Sequence, residues 1–351
     1  MSNSHLRNQS PQDMFVRMAR DHQPRFQFDA WEGGFEDWKA SARPEVRKCL
    51  GAFPDTVEPN PELQVEWEED GLRKQRWLID VNPNLSATVL VFFPADPKGG
   101  EDRPALLCWH GHGEYGKESV MGNRSTPDRH ADIELLNYDY GLQMAQAGFV
   151  TYAVDWLGRG DLDDEKKPNR RIDQTGRDWC NIYYLHATMF GMTSISINVG
   201  IGMAATTFVS GLPGVDPARL GVMGLSGGGT MTLWSAFCDE RIKAAEIICY
   251  SDLWEAFGMR DINYCGMQVA PGLYALVDLP DAQGLLAPKP LLIDIGVRDT
   301  CFSVETALQC YRKLEKIYAA AGAADHLDLD LHPNEHGWGG NKAVEFFKEA
   351  L

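Results

Sequence analysis

From residue 104 onward the chain repeats one unit: a short apolar run, a polar break, and a longer segment of helical period. The runs are PALLCWH, FVTYAVD, RLGVMG, AAEIICY and PLLIDIG, and the helical segments include TSISINVGIGMAATTFVSGL, GTMTLWSAFCD, VETALQCYRKLEKIYAAAG and NKAVEFFKEAL. Runs this apolar cannot lie on a sheet that shows one face to water. Helices alternating with them supply cover on both faces, so the pattern predicts an α/β fold around a mostly parallel sheet. Upstream, LQVEWEE, KQRWLIDV and SATVLVFFP have strand character and are separated by Asp70-Gly71 and Asn82-Pro83-Asn84. They predict three antiparallel strands at the start of the sheet. HLDLDLH adds a late strand, for about eight in all, and LNYDYGLQMAQAG is expected to form one helix closing on Gly148.

Residues 11–50 carry helical period in PQDMFVRMARD and FEDWKASARPEVRKCLG. With no repeat and no low-complexity linker, the expected organisation is an N-terminal helical extension over 1–60 and a single α/β domain over 61–351. The extension is expected to cap a pocket or to form a homodimer contact. Two intervals of about 35 residues, 156–190 and 252–286, break the alternation just after strands. Ligands of open parallel sheets bind at that edge, so the two inserts are expected to form a cap or pocket wall. Trp156, Arg159, Trp254 and Tyr264 are the candidate substrate-binding residues there, with Trp179, Tyr183, Tyr184 and Met259 nearby.

Fifty Asp and Glu against 33 Lys and Arg leave a net charge of -17. A surface this acidic excludes a nucleic-acid partner, because phosphate binding needs clustered cations. No 18-residue apolar run and no signal-like leader are present, so no membrane partner and a cytoplasmic location are expected. The eight cysteines show no CxxC or other tight metal spacing, and they read as free, mostly buried thiols. His110 and His112 form a local pair without a third ligand at metal spacing, so no metal is expected. The acidic run from Asp161 to Glu165 reads as a solvated loop.

Gly224-Leu225-Ser226-Gly227-Gly228 is a G-x-S-x-G sequence set between an apolar strand and a helix. That context suits a sharp turn presenting Ser226 as a nucleophile at a helix N-terminus, with small residues two positions either side to avoid clashes. A serine hydroxyl needs a base to take its proton and an acid to orient that base. Asp299 follows the strand PLLIDIG, and His336 follows HLDLDLH, which puts both on the edge of the sheet that carries Ser226. Asp299 is favoured over Asp252, which follows AAEIICY, and His336 over the strand-ending His332. In the loop His110-Gly111-His112-Gly113 the amide of His112, ahead of that of Gly113, is the expected oxyanion donor alongside that of Gly227.

HGHG, GLSGGG, GVRD and NEHGW, in this order, resemble the α/β-hydrolase superfamily over about residues 60–351. Within it they look closest to the branch of dienelactone-hydrolase-like proteins, acetyl xylan esterases and prolyl-oligopeptidase catalytic domains. The resemblance implies a Ser226, Asp299, His336 triad, an oxyanion hole of the Gly227 and His112 amides, and no cofactor. It departs from the dienelactone hydrolases, whose nucleophile is cysteine, from acetyl xylan esterases, whose R-G-Q motif is absent, and from the peptidases, whose propeller has no room here. The expected activity is hydrolysis of a small-molecule carboxylic ester. Amide, peptide or C-C bond hydrolysis uses the same residues, and a non-catalytic binding protein on this fold is the alternative of another class.

Overall fold

The computed structural model describes residues 8–94, 101–164 and 178–351. Nine strands, β1 (Glu62–Glu69), β2 (Leu72–Asn82), β3 (Leu85–Phe93), β4 (Arg103–Trp109), β5 (Val150–Val154), β6 (Val215–Leu225), β7 (Ile242–Ile248), β8 (Leu291–Gly296) and β9 (Leu327–His332), form one sheet. Their order is β1-β2-β3-β5-β4-β6-β7-β8-β9. β1 to β3 pair antiparallel and β3 pairs antiparallel to β5, while every pairing from β5 through β4 to β9 is parallel. All nine segments with strand character are in the sheet, against a total of about eight expected, and the short LDLDLH segment pairs along its whole length with β8.

Successive residues of the central strands point to opposite faces, and both faces are filled. Leu107, Val222, Ile247 and Ile293 belong to one buried cluster, whereas their neighbours Leu106, Met223, Ile248 and Leu292 belong to another. This is the structural content of the near-continuous apolar runs. The covering helices are α1 (Pro11–Arg20), α2 (Phe35–Cys49), α3 (Lys117–Val120), α4 (Pro127–Leu136), α5 (Tyr140–Gln146) and α6 (Trp179–Met189). They continue with α7 (Ser194–Val209), α8 (Gly227–Cys238), α9 (Leu273–Leu276), α10 (Leu279–Gly284), α11 (Val304–Ala320) and α12 (Ala343–Ala350). Among the described residues no helix is long and apolar enough to cross a membrane.

Two local expectations change. LNYDYGLQMAQAG is not one helix: α4 ends at Leu136, Asn137 turns left-handed at φ 47, and α5 starts at Tyr140. The Asn137 side chain donates to the Trp338 carbonyl at 3.1 Å, which fixes this break against the chain that follows β9. The acidic run is not simply solvated either. Asp161 accepts from Lys117 Nζ at 2.6 Å and Arg76 at 2.5 Å, and Lys117 also reaches Asp155 at 2.5 Å. Burial alone would raise the Asp161 carboxyl, but these cations hold it well below the usual carboxylate range. Glu165 lies outside the described residues.

The N-terminal segment is sewn onto the second insert by backbone. The amides of Arg25 and Phe26 donate to the carbonyls of Ala275 and Leu276, at 3.0 and 2.7 Å, and the Phe28 amide donates to Asp281. Trp38 on α2 is fully buried in the same cluster as Val222 and Ile293, and its indole donates to the Phe26 carbonyl at 2.8 Å. Trp38→Ala is therefore expected to cost the whole protein about 3–5 kcal/mol and to shift a single cooperative urea transition. Loss of a separate, earlier transition would show instead that the segment unfolds by itself.

Candidate active site

Ser226 occupies the joint between β6 and α8 with φ 60 and ψ -118, a conformation that L side chains rarely adopt. Its amide donates to the Ile248 carbonyl at 2.8 Å, tying the joint to β7. The two flanking glycines are required by contact. A Cβ on Gly224 would meet the Gly228 carbonyl oxygen at 2.6 Å, and one on Gly228 would meet the Trp109 carbonyl oxygen at 2.4 Å. The sequence therefore makes this sharp turn because the end of β4, the end of β6 and the start of α8 approach within backbone contact.

Asp299 and His336 come from the loops after β8 and β9. His336 Nδ1 lies 2.8 Å from Asp299 Oδ2, while Asp299 Oδ1 accepts the amides of Cys301 and Phe302 at 2.7 and 3.0 Å. The carboxylate is thus held on both oxygens and its side chain is buried. The imidazole stacks on Phe302 with ring centroids 5.7 Å apart. Its loop is anchored by Val297 N to the His332 carbonyl at 2.8 Å, Arg298 N to Asn334 at 3.1 Å and Trp338 N to Leu136 at 2.9 Å.

The loop after β4 reaches Ser226 from the other side. A Cβ on Gly111 would lie 2.9 Å from the Leu225 carbonyl oxygen and 3.3 Å from Ser226 Cβ, so only glycine allows this approach. Gly111 N is already committed, donating to Tyr138 Oη at 2.6 Å. The Gly227 amide sits in the first turn of α8, where helix amides have no carbonyl of their own. Ser226, His336, His112, Gly113, Tyr138, Tyr264, Cys265, Gln268, Cys301 and Phe302 line one cavity of about 380 Å³. A narrower apolar cavity of about 70 Å³, walled by Trp254, Phe257, Met259, Leu273 and Tyr274, shares Tyr264 and Gln268 with it.

This architecture has relatives. The model of the abhydrolase family matches residues 1–194, more than half of the chain. The chain belongs to the abhydrolase family. Along most of its length it is also similar to YtaP of Bacillus subtilis (strain 168), provisionally named a hydrolase, at 26% identity over 82% of this chain and 90% of that one. A Bacteroides fragilis NCTC 9343 crystal structure provisionally named an acetyl xylan esterase superposes with TM-score 0.72 at 21% identity, over 93% of this chain and 83% of that one. A glucuronoyl esterase from Solibacter usitatus superposes with TM-score 0.66 at 14% identity, over 91% and 94%. Acetyl xylan esterase 1 from Thermoanaerobacterium sp. JW/SL YS485 does so with TM-score 0.58 at 16% identity, over 97% and 99%. At these identities the superpositions establish the shared fold.

Within this abhydrolase the two rival residues stand elsewhere. Asp252 is buried, accepts from Leu253 N at 2.6 Å and hydrogen-bonds Thr306, and burial pushes its carboxyl up to about 6. His332 Nε2 pairs with Asp294 Oδ1 at 2.8 Å, and Asp294 Oδ2 accepts from Gly339 N at 2.9 Å. That second His-Asp pair is fully buried and steadies the segment leading out of the His336 loop. Beside it, burial pushes the Glu246 carboxyl far up, and the Trp338 indole donates to it at 2.9 Å.

Of the four aromatic and cationic residues expected to meet substrate, Trp254 and Tyr264 line these two cavities, and Trp156 and Arg159 line neither. Trp156 is fully buried beneath the loop after β4, stacked on His110 at 5.1 Å with its indole donating to the His110 carbonyl. Arg159 packs over the Trp156 ring and donates to the Gly158 carbonyl, and it lines neither cavity. Both follow β5 so closely that they fold under the loop before the insert departs from the sheet. Tyr138, Gln268 and Phe302 carry no sequence motif, and the helical pattern over residues 136–148 masks the break between α4 and α5 at which Tyr138 meets the cavity. His110 also turns inward; burial pushes its imidazole down to about 4, so it stays neutral and apart from the His112 ring.

Two outcomes follow from this geometry. Gly228→Ala is expected to lose about 1–3 kcal/mol of stability or more in urea unfolding, since its methyl group has only backbone to push against. For Asp252, the folded carboxyl titrates above its unfolded value near 3.9. The fold thus binds more protons between about pH 4 and pH 6 and loses stability as pH rises through that window. Asp252→Asn is expected to melt higher than the parent protein at pH 8, with the difference shrinking toward pH 4.

Proposed function

We propose that this abhydrolase is a carboxylic ester hydrolase acting through an acyl-enzyme on Ser226. The observation that carries the reading is the His336–Asp299 hydrogen bond of 2.8 Å, on an imidazole that opens into the same cavity as the strained Ser226. His336 Nε2 takes the Ser226 proton as the hydroxyl attacks the ester carbonyl, then returns it to the leaving alcohol. Asp299, held by two backbone amides, keeps Nδ1 protonated and stabilises the imidazolium that forms. The amides of Gly227 and His112 receive the oxyanion, helped by the N-terminal end of α8. Water then repeats the sequence on the acyl-enzyme and releases the acid. The chemistry calls on no cofactor.

An ester rather than an amide is favoured because proteins that share this fold are named as acetyl xylan esterases, one of them provisionally, and as a glucuronoyl esterase. The two adjoining cavities differ in size and in polarity of their walls. That suits an ester with one small apolar group and one larger group. Division into a helical extension over 1–60 and a hydrolase domain over 61–351 is part of this reading, with the extension supporting the second insert rather than contributing to the chemistry.

Ser226→Ala is expected to lower kcat/KM for p-nitrophenyl acetate by at least about 10³-fold, since removing the nucleophile leaves only oxyanion and binding effects. Equal rates for the two proteins would end the assignment, and faster turnover of the matching aryl amide would make it an amidase. Asp299→Asn is expected to lose on the order of 10⁴-fold in kcat by favouring the wrong imidazole tautomer. Asp252→Asn should stay within a few-fold of the parent in the same assay; a reversal of these two results would transfer the acid role to Asp252.

A further inference from the structure

Three metal-ligating side chains from three distant segments meet beside the Ser226 cavity, which His112 and Cys265 line. His112 stands in the loop after β4, Cys180 in the first turn of α6, and Cys265 in the second insert. His112 Nε2 lies 3.2 Å from Cys265 Sγ, and the three ligand atoms all fall within 4.8 Å of one another. Tetrahedral Zn²⁺ with two thiolates and an imidazole has ligand-to-ligand edges of about 3.6–3.8 Å, from bonds of about 2.3 Å to sulfur and 2.0–2.1 Å to nitrogen. Closing the cluster onto an ion therefore asks for side-chain adjustments of an ångström or less.

The scaffold holds these groups independently of any ion. Asn181, next to Cys180, accepts from the amide of Gly266, next to Cys265, at 2.8 Å. A Cβ on Gly266 would meet Tyr184 Cβ at 2.4 Å, so the second insert lies directly on α6. The Cys265 amide is fixed in turn on Gln268 at 3.1 Å. On the imidazole side, the ring meets Trp156 edge-on at 5.1 Å, and Nδ1 would lie 2.9 Å from a Cβ on Gly227. His112 thus presents Nε2 to the two sulfurs. Among the described residues the other clusters of this kind pair Cys249 with Asp299 and His336, or with Asp294 and His332, whose carboxylates and imidazoles are already bonded to each other at 2.8 Å.

We propose that His112 Nε2, Cys180 Sγ and Cys265 Sγ form a binding site for a soft divalent metal ion, Zn²⁺ above the alternatives, at the edge of the Ser226 cavity. Two ligand types match that ion: thiols that release their protons to solvent and bind as thiolates, and a neutral imidazole that keeps its proton on Nδ1. Two S–H bonds break, two metal–sulfur bonds and one metal–nitrogen bond form, and one coordination position is left for water. Because Cys180 and Cys265 belong to the two inserts and His112 to the loop facing Ser226, the bound ion joins all three walls of the cavity. The site stands whether or not Ser226 is the nucleophile.

Reduced, chelator-treated protein titrated with Co²⁺ tests it. Expected are a thiolate-to-cobalt charge-transfer absorption saturating at one equivalent, its displacement by Zn²⁺, and the same result in Ser226→Ala. Cys180→Ser and Cys265→Ser should each lose the absorption, Cys238→Ser should keep it, and His112→Asn should weaken Zn²⁺ binding at least about tenfold. Circular dichroism on each variant establishes that it is folded, and if either serine variant is not, the His112→Asn result decides. No charge-transfer absorption in the reduced parent protein, or an absorption that survives in Cys180→Ser/Cys265→Ser, overturns the proposal. So does a Cys180–Cys265 disulfide whose reduction restores no metal binding.

Discussion

Backbone contact at one crossing sets the terms for this molecule. The carbonyl of Trp109 at the end of β4 lies so near the start of α8 that Gly228 cannot carry a Cβ, and Gly224 is excluded from one by Gly228 and Trp109 together. The close approach forces Ser226 into positive φ and pushes its side chain above the sheet. It also brings Gly111 so close that a Cβ there would lie 3.3 Å from Ser226 Cβ, so the facing loop and the serine are positioned by one packing event. Strain of this kind costs on the order of 1–3 kcal/mol per residue and persists only where surroundings over-determine it. Here the surroundings are β4, β6 and β7, buried along nearly their whole length apart from the first half of β6.

The loops after β8 and β9 depend on that frame in a second way. The loop after β8 is closed on itself through Asp299, and the two loops are anchored to each other through Val297 and Arg298, and to Leu136 through Trp338. Beneath them the buried pairs His332–Asp294 and Trp338–Glu246 bond one ring nitrogen of His332 and one oxygen of Glu246, leaving His332 Nδ1 and Glu246 Oε2 without a hydrogen-bond partner among the described residues. Two His-Asp pairs thus lie side by side with different environments. The one that opens into the cavity carries the proposed chemistry, and the closed one holds the loop.

Much of this was legible in the sequence, for identifiable reasons. The parallel core strands read correctly because burial on both faces leaves near-continuous apolar runs, and Ser226, Asp299 and His336 follow such runs directly, where a strand end fixes the position. Legibility failed where side chains act at long sequence range. Asn137 breaks a segment of helical pattern because it bonds to Trp338, two hundred residues away. Trp156 looks like a pocket aromatic but folds under the β4 loop onto His110. The thiols of Cys180 and Cys265 have no mutual spacing that a motif could catch, and only the packing of one insert on α6 brings them together. Local pattern reports burial well and reports convergence of distant loops poorly.

The central claim is that Ser226 is the one serine activated by a His-Asp pair, and covalent trapping tests it most directly. Intact-mass and peptide mapping after reaction with a fluorophosphonate should show a single adduct on Ser226, and the adduct should form far more slowly in His336→Ala. An adduct on another residue, or equal labelling rates in the parent protein and His336→Ala, would contradict the account.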